Sequence, residues 1–212
     1  MEKESIILVG GGGHAKACID VILSTNKYII LGYIDIKQAD NLNPDIPYLG
    51  NDSELTKYFD MASFLITVGQ ISSPAIRIQL FDKLKQLNAR FATVISTHAY
   101  VSPFAKLEEG TIVMHGAVVQ YNASIGANCI INDKALIEHD AKVGMHCHIS
   151  TGAILNGDVT VMNNVFIGSG TIVKNGITIA ENVVVGAGSN VLNSISANSI
   201  VVGNPAKIKK NA

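Results

Sequence analysis

Two segments of this sequence carry side chains and backbone suited to chemistry. In Ile137-Glu138-His139-Asp140 an imidazole stands next to a carboxylate, and His148 follows nine residues after His139. A neutral imidazole, ordinarily titrating near 6.5, is suited to take a proton from an attacking amine or hydroxyl at pH 7. A carboxylate beside it can hold the ring's tautomer and stabilise the imidazolium. The second segment is Gly10-Gly11-Gly12-Gly13-His14. Gly10-x-Gly12-x-x-Ala15, with Asp35 ending the next apolar run, satisfies a loose dinucleotide fingerprint and by itself suggests NAD. The backbone N–H groups of such a loop, at the start of a helix, hold any other phosphate equally well. Cys129 and Cys147 stand 18 residues apart and read as small hydrophobes rather than as a disulfide or metal pair.

The elements that position these segments fall into two halves. Residues 1–96 alternate strand-like and helix-like runs. Apolar residues 5–9 lead into the glycines, and Ala17, Val21 and Ile22 recur at helical spacing. Residues 29–34 end at Asp35, and residues 64–68 end at Gly69. Ile76, Leu80, Leu84 and Leu87 then share a helix face, and residues 91–95 make a closing strand. This predicts a βαβαβ domain on a parallel sheet, a Rossmann-like half too short for two mononucleotide-binding lobes. Its three strand ends meet at one edge, where open α/β sheets bind ligands.

Residues 97–212 obey a different rule. Stepping by six from Val101 through Leu107, Val113 and onward to Val191, all sixteen positions are Val, Ile or Leu. Four residues after each lies an uncharged, mostly small residue, from Ala105 to Ile195. Such a period predicts a triangular parallel β-helix of a little over five coils, three hexapeptides to a coil, with both positions pointing inward. Asn128, Asn164, Asn182 and Asn204 are read as corners that tolerate a left-handed backbone. His139 falls in an outward slot, stacked with Tyr121, Gly157 and Asn175, the glycine leaving room for a ligand. A prism with such faces is suited to a closed homotrimer.

Composition narrows the partners. Sixteen Lys and Arg against seventeen Asp and Glu give a formal charge of −1, which argues against nucleic acid. No apolar run approaches a membrane span and the N-terminus lacks a signal-peptide layout. Three cysteines make no disulfide framework, so the expected compartment is the cytoplasm.

The uninterrupted hexapeptide, as in Ile125-Gly126-Ala127-Asn128-Cys129-Ile130, resembles the left-handed β-helix acyltransferases. With the N-terminal glycine-loop domain, the His139-Asp140 pair and the ending Gly203-Asn204-Pro205-Ala206-Lys207, the whole chain resembles the nucleotide-sugar acetyltransferases of bacillosamine, perosamine and sialic-acid biosynthesis. That resemblance implies an acetyl-CoA-dependent N-acetyltransferase without a metal, its active sites at the subunit interfaces of a homotrimer. The expected acceptor is the 4-amino group of a nucleotide-linked 4-amino-4,6-dideoxy sugar, the UDP-linked N-acetylglucosamine derivative first. GDP-perosamine and sialic acid O-acetylation are the alternatives. The resemblance makes His139 the general base and Asp140 its orienting partner, where relatives commonly carry Glu. It places His148 at the thioester, the Gly157 backbone at the oxyanion, Ser169 and Ala187 along the pantetheine channel, and Lys207 at a CoA phosphate. Gly12, Gly13, His14, Asp35 and Gly69 would hold the nucleotide-sugar, with Asn132 a candidate contact to the sugar.

Two other classes stay open on the residues alone. A zinc hydratase would draw on His115, His139, His146 and His148, whose outward stacking does not obviously converge. A scaffold with a dead site would be indifferent to loss of His139.

Overall fold

The computed structural model describes residues 3–211. Strand β1 (Glu4–Val9) runs through the glycines into helix α1 (Gly13–Thr25), which returns to strand β2 (Tyr28–Ile34). A 3-10 helix (Asp52–Tyr58), strand β3 (Ser63–Ile66) and helix α2 (Ala75–Gln86) complete the unit. The sheet order is β2-β1-β3, all parallel, so the central strand delivers the glycine loop between its neighbours' ends. Helix α1 stops at Asn26, whose left-handed backbone lets its N–H reach the Leu23 carbonyl.

The rest is a parallel β-solenoid of about six turns, with three faces of two-residue strands. Face one runs from Val94–Ile95 through Ile112–Val113, Ile130–Ile131 and His148–Ile149 to Ser199–Val202. Face two includes Leu136–Ile137, and face three Lys142–Val143. The second residue of each strand points inward: Val113, Ile131, Ile137, Ile149 and Leu155 are wholly buried, with Ala117, Cys129, Ala135 and Cys147 filling the small slots. The sixfold period therefore has a steric cause, because every face must turn an aliphatic side chain into a prism too narrow for two large ones. The two thiols are free and buried.

At each corner from Gly110 to Gly188 one residue takes a left-handed backbone, among them Asn122, Asn128, Asp140, Asn164 and Asn182. Asn204 is not one of them. It lies in the tail turn, before a strand (Lys207–Asn211) that folds back antiparallel on Ser199–Val202.

Three sequence expectations are adjusted at the ends of the repeat. Residues 91–95 do not act as one strand. Phe91 bridges Phe64 of the N-terminal sheet, whereas Val94–Ile95 pairs with Ile112–Val113 as the first solenoid strand. The register of the inward series thus begins six residues earlier, at Ile95, which the open end of the prism leaves 39% exposed. At the other end Ile195 pairs with Ile179, sixteen residues back instead of eighteen, so it takes an aliphatic slot of a shortened corner rather than a small slot.

The N-terminal unit packs on the outer side of face one. Val94, Ile112, Met114 and Ile130 share a buried cluster with Cys18, Ile19 and Ile22 of α1. A polar seam fixes the contact: the fully buried Arg77 donates to the carbonyls of Ile66 and Val68 and, through its other nitrogen, to Asn128 Oδ1 at 2.6 Å. Asn128 Nδ2 lies 2.9 Å from His146 Nδ1, and Gln70 Nε2 donates to the His146 carbonyl. Burying an arginine without a carboxylate is costly unless its N–H groups are satisfied, and here backbone carbonyls and one amide do most of that.

Candidate functional site

The strand ends of the N-terminal unit open into a cleft of about 590 Å³, within the range of small-molecule sites. Its glycines differ in what they require. A Cβ at Gly10, which has φ +115°, would lie 2.7 Å from the Val68 side chain; one at Gly12 or Gly13 would meet nothing within 4 Å. The first two positions of the run are tied down, since Gly10 N–H donates to the Ile34 carbonyl and Gly11 N–H to Asp35 Oδ2 at 2.7 Å. Gly12 caps α1 with no side-chain acceptor, and the first helical turn carries no acidic residue. Orphan first-turn N–H groups, the helix dipole and open space above two glycines give this loop the chemistry that suits a phosphate. Asp35 holds the loop itself, its other oxygen accepting from Ile36 N–H. Gly69 backs the cleft with its Cα near His14, where a Cβ would sit 3.4 Å from that side chain.

His14 and His148 form the cleft's inner wall, their ring centres 6.5 Å apart. His148 Nδ1 lies 2.6 Å from the Gln70 carbonyl, so it carries the proton; Nε2 then accepts from Asn132 Nδ2 at 3.1 Å. Burial lowers its pKa to about 4. Burial, the Arg77 charge and His148 lower that of His14 to about 3, and His14 Nε2 has no hydrogen-bond partner among the described residues. Both rings are therefore neutral at pH 7.

The second group stands on another edge. His139 occupies the corner between faces two and three and is largely exposed. Its Nδ1 donates to Asp140 Oδ2 at 2.8 Å, and Asp140 Oδ1 accepts from Asn122 Nδ2 at 2.7 Å. The Asp140 hydrogen bond raises the His139 pKa, while Asn122 and then His139 lower that of Asp140. With Nδ1 protonated, Nε2 is left as a free acceptor. The ring lies directly over Gly157, where a Cβ would sit 2.8 Å from Cε1 and Nε2. This corrects the expectation that the glycine leaves room for a ligand, because the imidazole itself takes that room.

Asn122 escaped the sequence reading. The eighteen-residue step that stacks Tyr121 under His139 also stacks Asn122 under Asp140, and that step would have found it.

Within one chain the expected site residues divide between edges. His148, Asn132, the exposed Ser169 (Oγ 2.9 Å from Ser150 Oγ) and the exposed Ala187 rise along face one and its corner with face two. His139, Asp140 and Gly157 stand on the next corner round the prism. Lys207 is exposed on the tail strand, beside the last strand of face one. A joint action of His148 and Gly157 on one oxyanion is not available inside a single chain. The four histidines of a zinc reading are also dispersed. His115 is bonded to Ser96, His146 to Asn128 and His148 to Gln70, and among the described residues no group of three His, Cys, Asp or Glu is placed to hold a metal. No described helix is long and apolar enough to cross a membrane.

Comparison with known proteins matches residues 5–84 to the family described as the PglD N-terminal domain. PerB from Caulobacter crescentus, solved in complex with CoA and GDP-perosamine, is 30% identical over 97% of each chain, with a TM-score of 0.89. A histidine-to-asparagine mutant of perosamine N-acetyltransferase from the same organism, with the same two ligands, is 28% identical at the same coverage and TM-score of 0.89. The acetyltransferase domain of PglB from Neisseria gonorrhoeae, in complex with acetyl coenzyme A, is 27% identical over 98% of this chain and 100% of that one, with a TM-score of 0.89. Among curated proteins, 123 residues are 29% identical to Uncharacterized protein L142 of Acanthamoeba polyphaga mimivirus, a match spanning 57% of this chain and 23% of that protein.

Proposed function

Since the chain belongs to the left-handed β-helix nucleotide-sugar acetyltransferases, we propose that it moves an acetyl group from acetyl-CoA to the 4-amino group of a nucleotide-linked 4-amino-4,6-dideoxy sugar. The observation that carries this reading is the orientation of His139: Nδ1 is committed to Asp140, and Nε2 is a free acceptor on an exposed edge. That arrangement fits a general base and needs no covalent acyl-enzyme.

The nucleotide diphosphate lies over Gly12 and Gly13 at the start of α1, and the sugar extends past His14 toward the solenoid. The amine attacks the thioester carbonyl carbon and a C–N bond forms. His139 Nε2 takes the amine's proton while Asp140 steadies the imidazolium, the C–S bond breaks, and the imidazolium returns that proton to the departing sulfur, so that CoA leaves as the thiol. A backbone N–H near Gly157 would stabilise the oxyanion, a contribution on the order of 3 kcal/mol. Because the cleft and His139 stand on different edges, the reaction requires a homotrimer in which His139 of one copy faces the cleft of the next. A heterologous contact closing on a threefold axis does this.

Thiol release from acetyl-CoA, measured against UDP-, GDP- and dTDP-linked 4-amino sugars with sialic acid included, tests the reading. Turnover on a 4-amino sugar is the expected result. Turnover confined to sialic acid would favour a hydroxyl acceptor. Silence without acetyl-CoA binding would remove the acyltransferase reading. His139→Ala should lower turnover by roughly 10² to 10⁴ with substrate binding nearly intact, and an unchanged rate would remove the base assignment.

A further inference from the structure

The strand-end cleft has a side arm that the nucleotide loop and the histidines leave unused. It starts at Gly10 and Asp35 and runs between α2 and the 3-10 helix as a cavity of about 250 Å³. Its mouth is flanked by Ile36, 87% exposed, and Ile76, 62% exposed. Large aliphatic side chains left open beside a cavity suit the two faces of a flat ring. Lys83 stands seven residues beyond Ile76, two turns and roughly 10 Å further along α2, at the partly exposed far end of the arm. It pairs there with Asp52 of the 3-10 helix, Nζ to Oδ2 at 3.0 Å. Asp52 Oδ1 has no hydrogen bond among the described residues, and Lys83 keeps N–H groups to spare.

We propose that this arm is the nucleobase slot and that the Asp52–Lys83 pair reads guanine in it. The proposal rests on the nucleotide-sugar reading above and names its base. A carboxylate beside an ammonium asks for two donors next to an acceptor. Guanine offers N1–H and the N2 amino group side by side, with O6 adjoining: Asp52 accepts from both nitrogens and Lys83 donates to O6. Uracil offers one donor, N3–H, between two carbonyls, so one contact is lost and a carbonyl lone pair faces the carboxylate. Adenine offers one amino donor beside a ring nitrogen and likewise loses a contact.

Calorimetric titration of the full-length protein with GDP, IDP, UDP and ADP decides it. IDP differs from GDP only by lacking the N2 amino group, so it isolates one hydrogen bond to Asp52. GDP should bind about tenfold more tightly than IDP, and at least as far above UDP and ADP. In Asp52→Asn the gap between GDP and IDP should close. Equal binding of GDP and IDP by the unaltered protein, or UDP or ADP binding as tightly as GDP, would overturn the guanine assignment while leaving the nucleotide-sugar reading in place. If acetyl-CoA bound but no diphosphate did, both would fall. The comparison of GDP with IDP needs no variant, so it stands even if Asp52→Asn fails to fold.

Discussion

At the scale of single residues the proposed chemistry rests on a chain of three side chains over one glycine: Asn122 holds Asp140, Asp140 holds His139, and the ring lies on Gly157. The shorter arm of Asp140 suffices because its backbone is left-handed at the corner and its second oxygen is anchored by Asn122. Gly157→Ala puts a methyl 2.8 Å from the ring, closer than a Cβ can stand. It should therefore displace Nε2 and lower kcat by about 10², with acetyl-CoA affinity little changed; steady-state kinetics beside a CoA titration would check it. The pH profile follows from the same contacts. Asp140 raises the His139 pKa above its ordinary 6.5, and a base works only when neutral, so kcat should fall as pH drops through a value above 6.5. Asp140→Asn should move that acid limb to lower pH and reduce the plateau rate. An acid limb that did not move would mean that another group titrates.

At the scale of elements, the repeat and its corners set where these residues stand. The neutral histidines of the cleft wall also couple the two units to pH. His14 and His148 titrate at about 3 and about 4 in the folded protein, below the ordinary 6.5. Between those values protons bind the unfolded chain but not the folded one, so stability is intact above pH 6.5 and is lost as pH falls toward 4. The loss should approach about 1.4 kcal/mol per pH unit for each ring. Urea denaturation at pH 7, 6 and 5 measures this slope, and His148→Gln should remove one ring's share. A flat profile would contradict the burial of both rings.

The architecture was legible in the sequence because a prism interior admits only aliphatic and small side chains, and that demand repeats every six residues. The chain ends were less legible. Ile95 had no earlier repeat to align with, and the shortened corner before Ile195 breaks the period. The candidate site was legible in part. His139 with Asp140 and Gly12 with Gly13 announced themselves by type and spacing. Asn122 and the Arg77–Asn128 seam did not, because an amide's role depends on what stacks against it 18 or 51 residues away.

At the scale of the whole molecule, the proposed reaction divides its residues between two places on one protomer. The phosphate-ready cleft with His14 and His148 is built on face one, and His139 with Asp140 stands on the corner between faces two and three. On the proposed reading neighbouring copies bring them together, so activity should belong to the assembly. The direct test is subunit complementation. His139→Ala removes the base. Gly13→Trp places an indole in the cleft from a position where an added Cβ would meet nothing within 4 Å. Each variant alone should be inactive. Co-expressed, they should form mixed trimers in which an intact cleft faces an intact His139, restoring about a quarter of the original acetyl transfer on random assortment. No recovery from mixed trimers, with both variants folded and associated, would mean that each chain works alone and would contradict a site shared between copies.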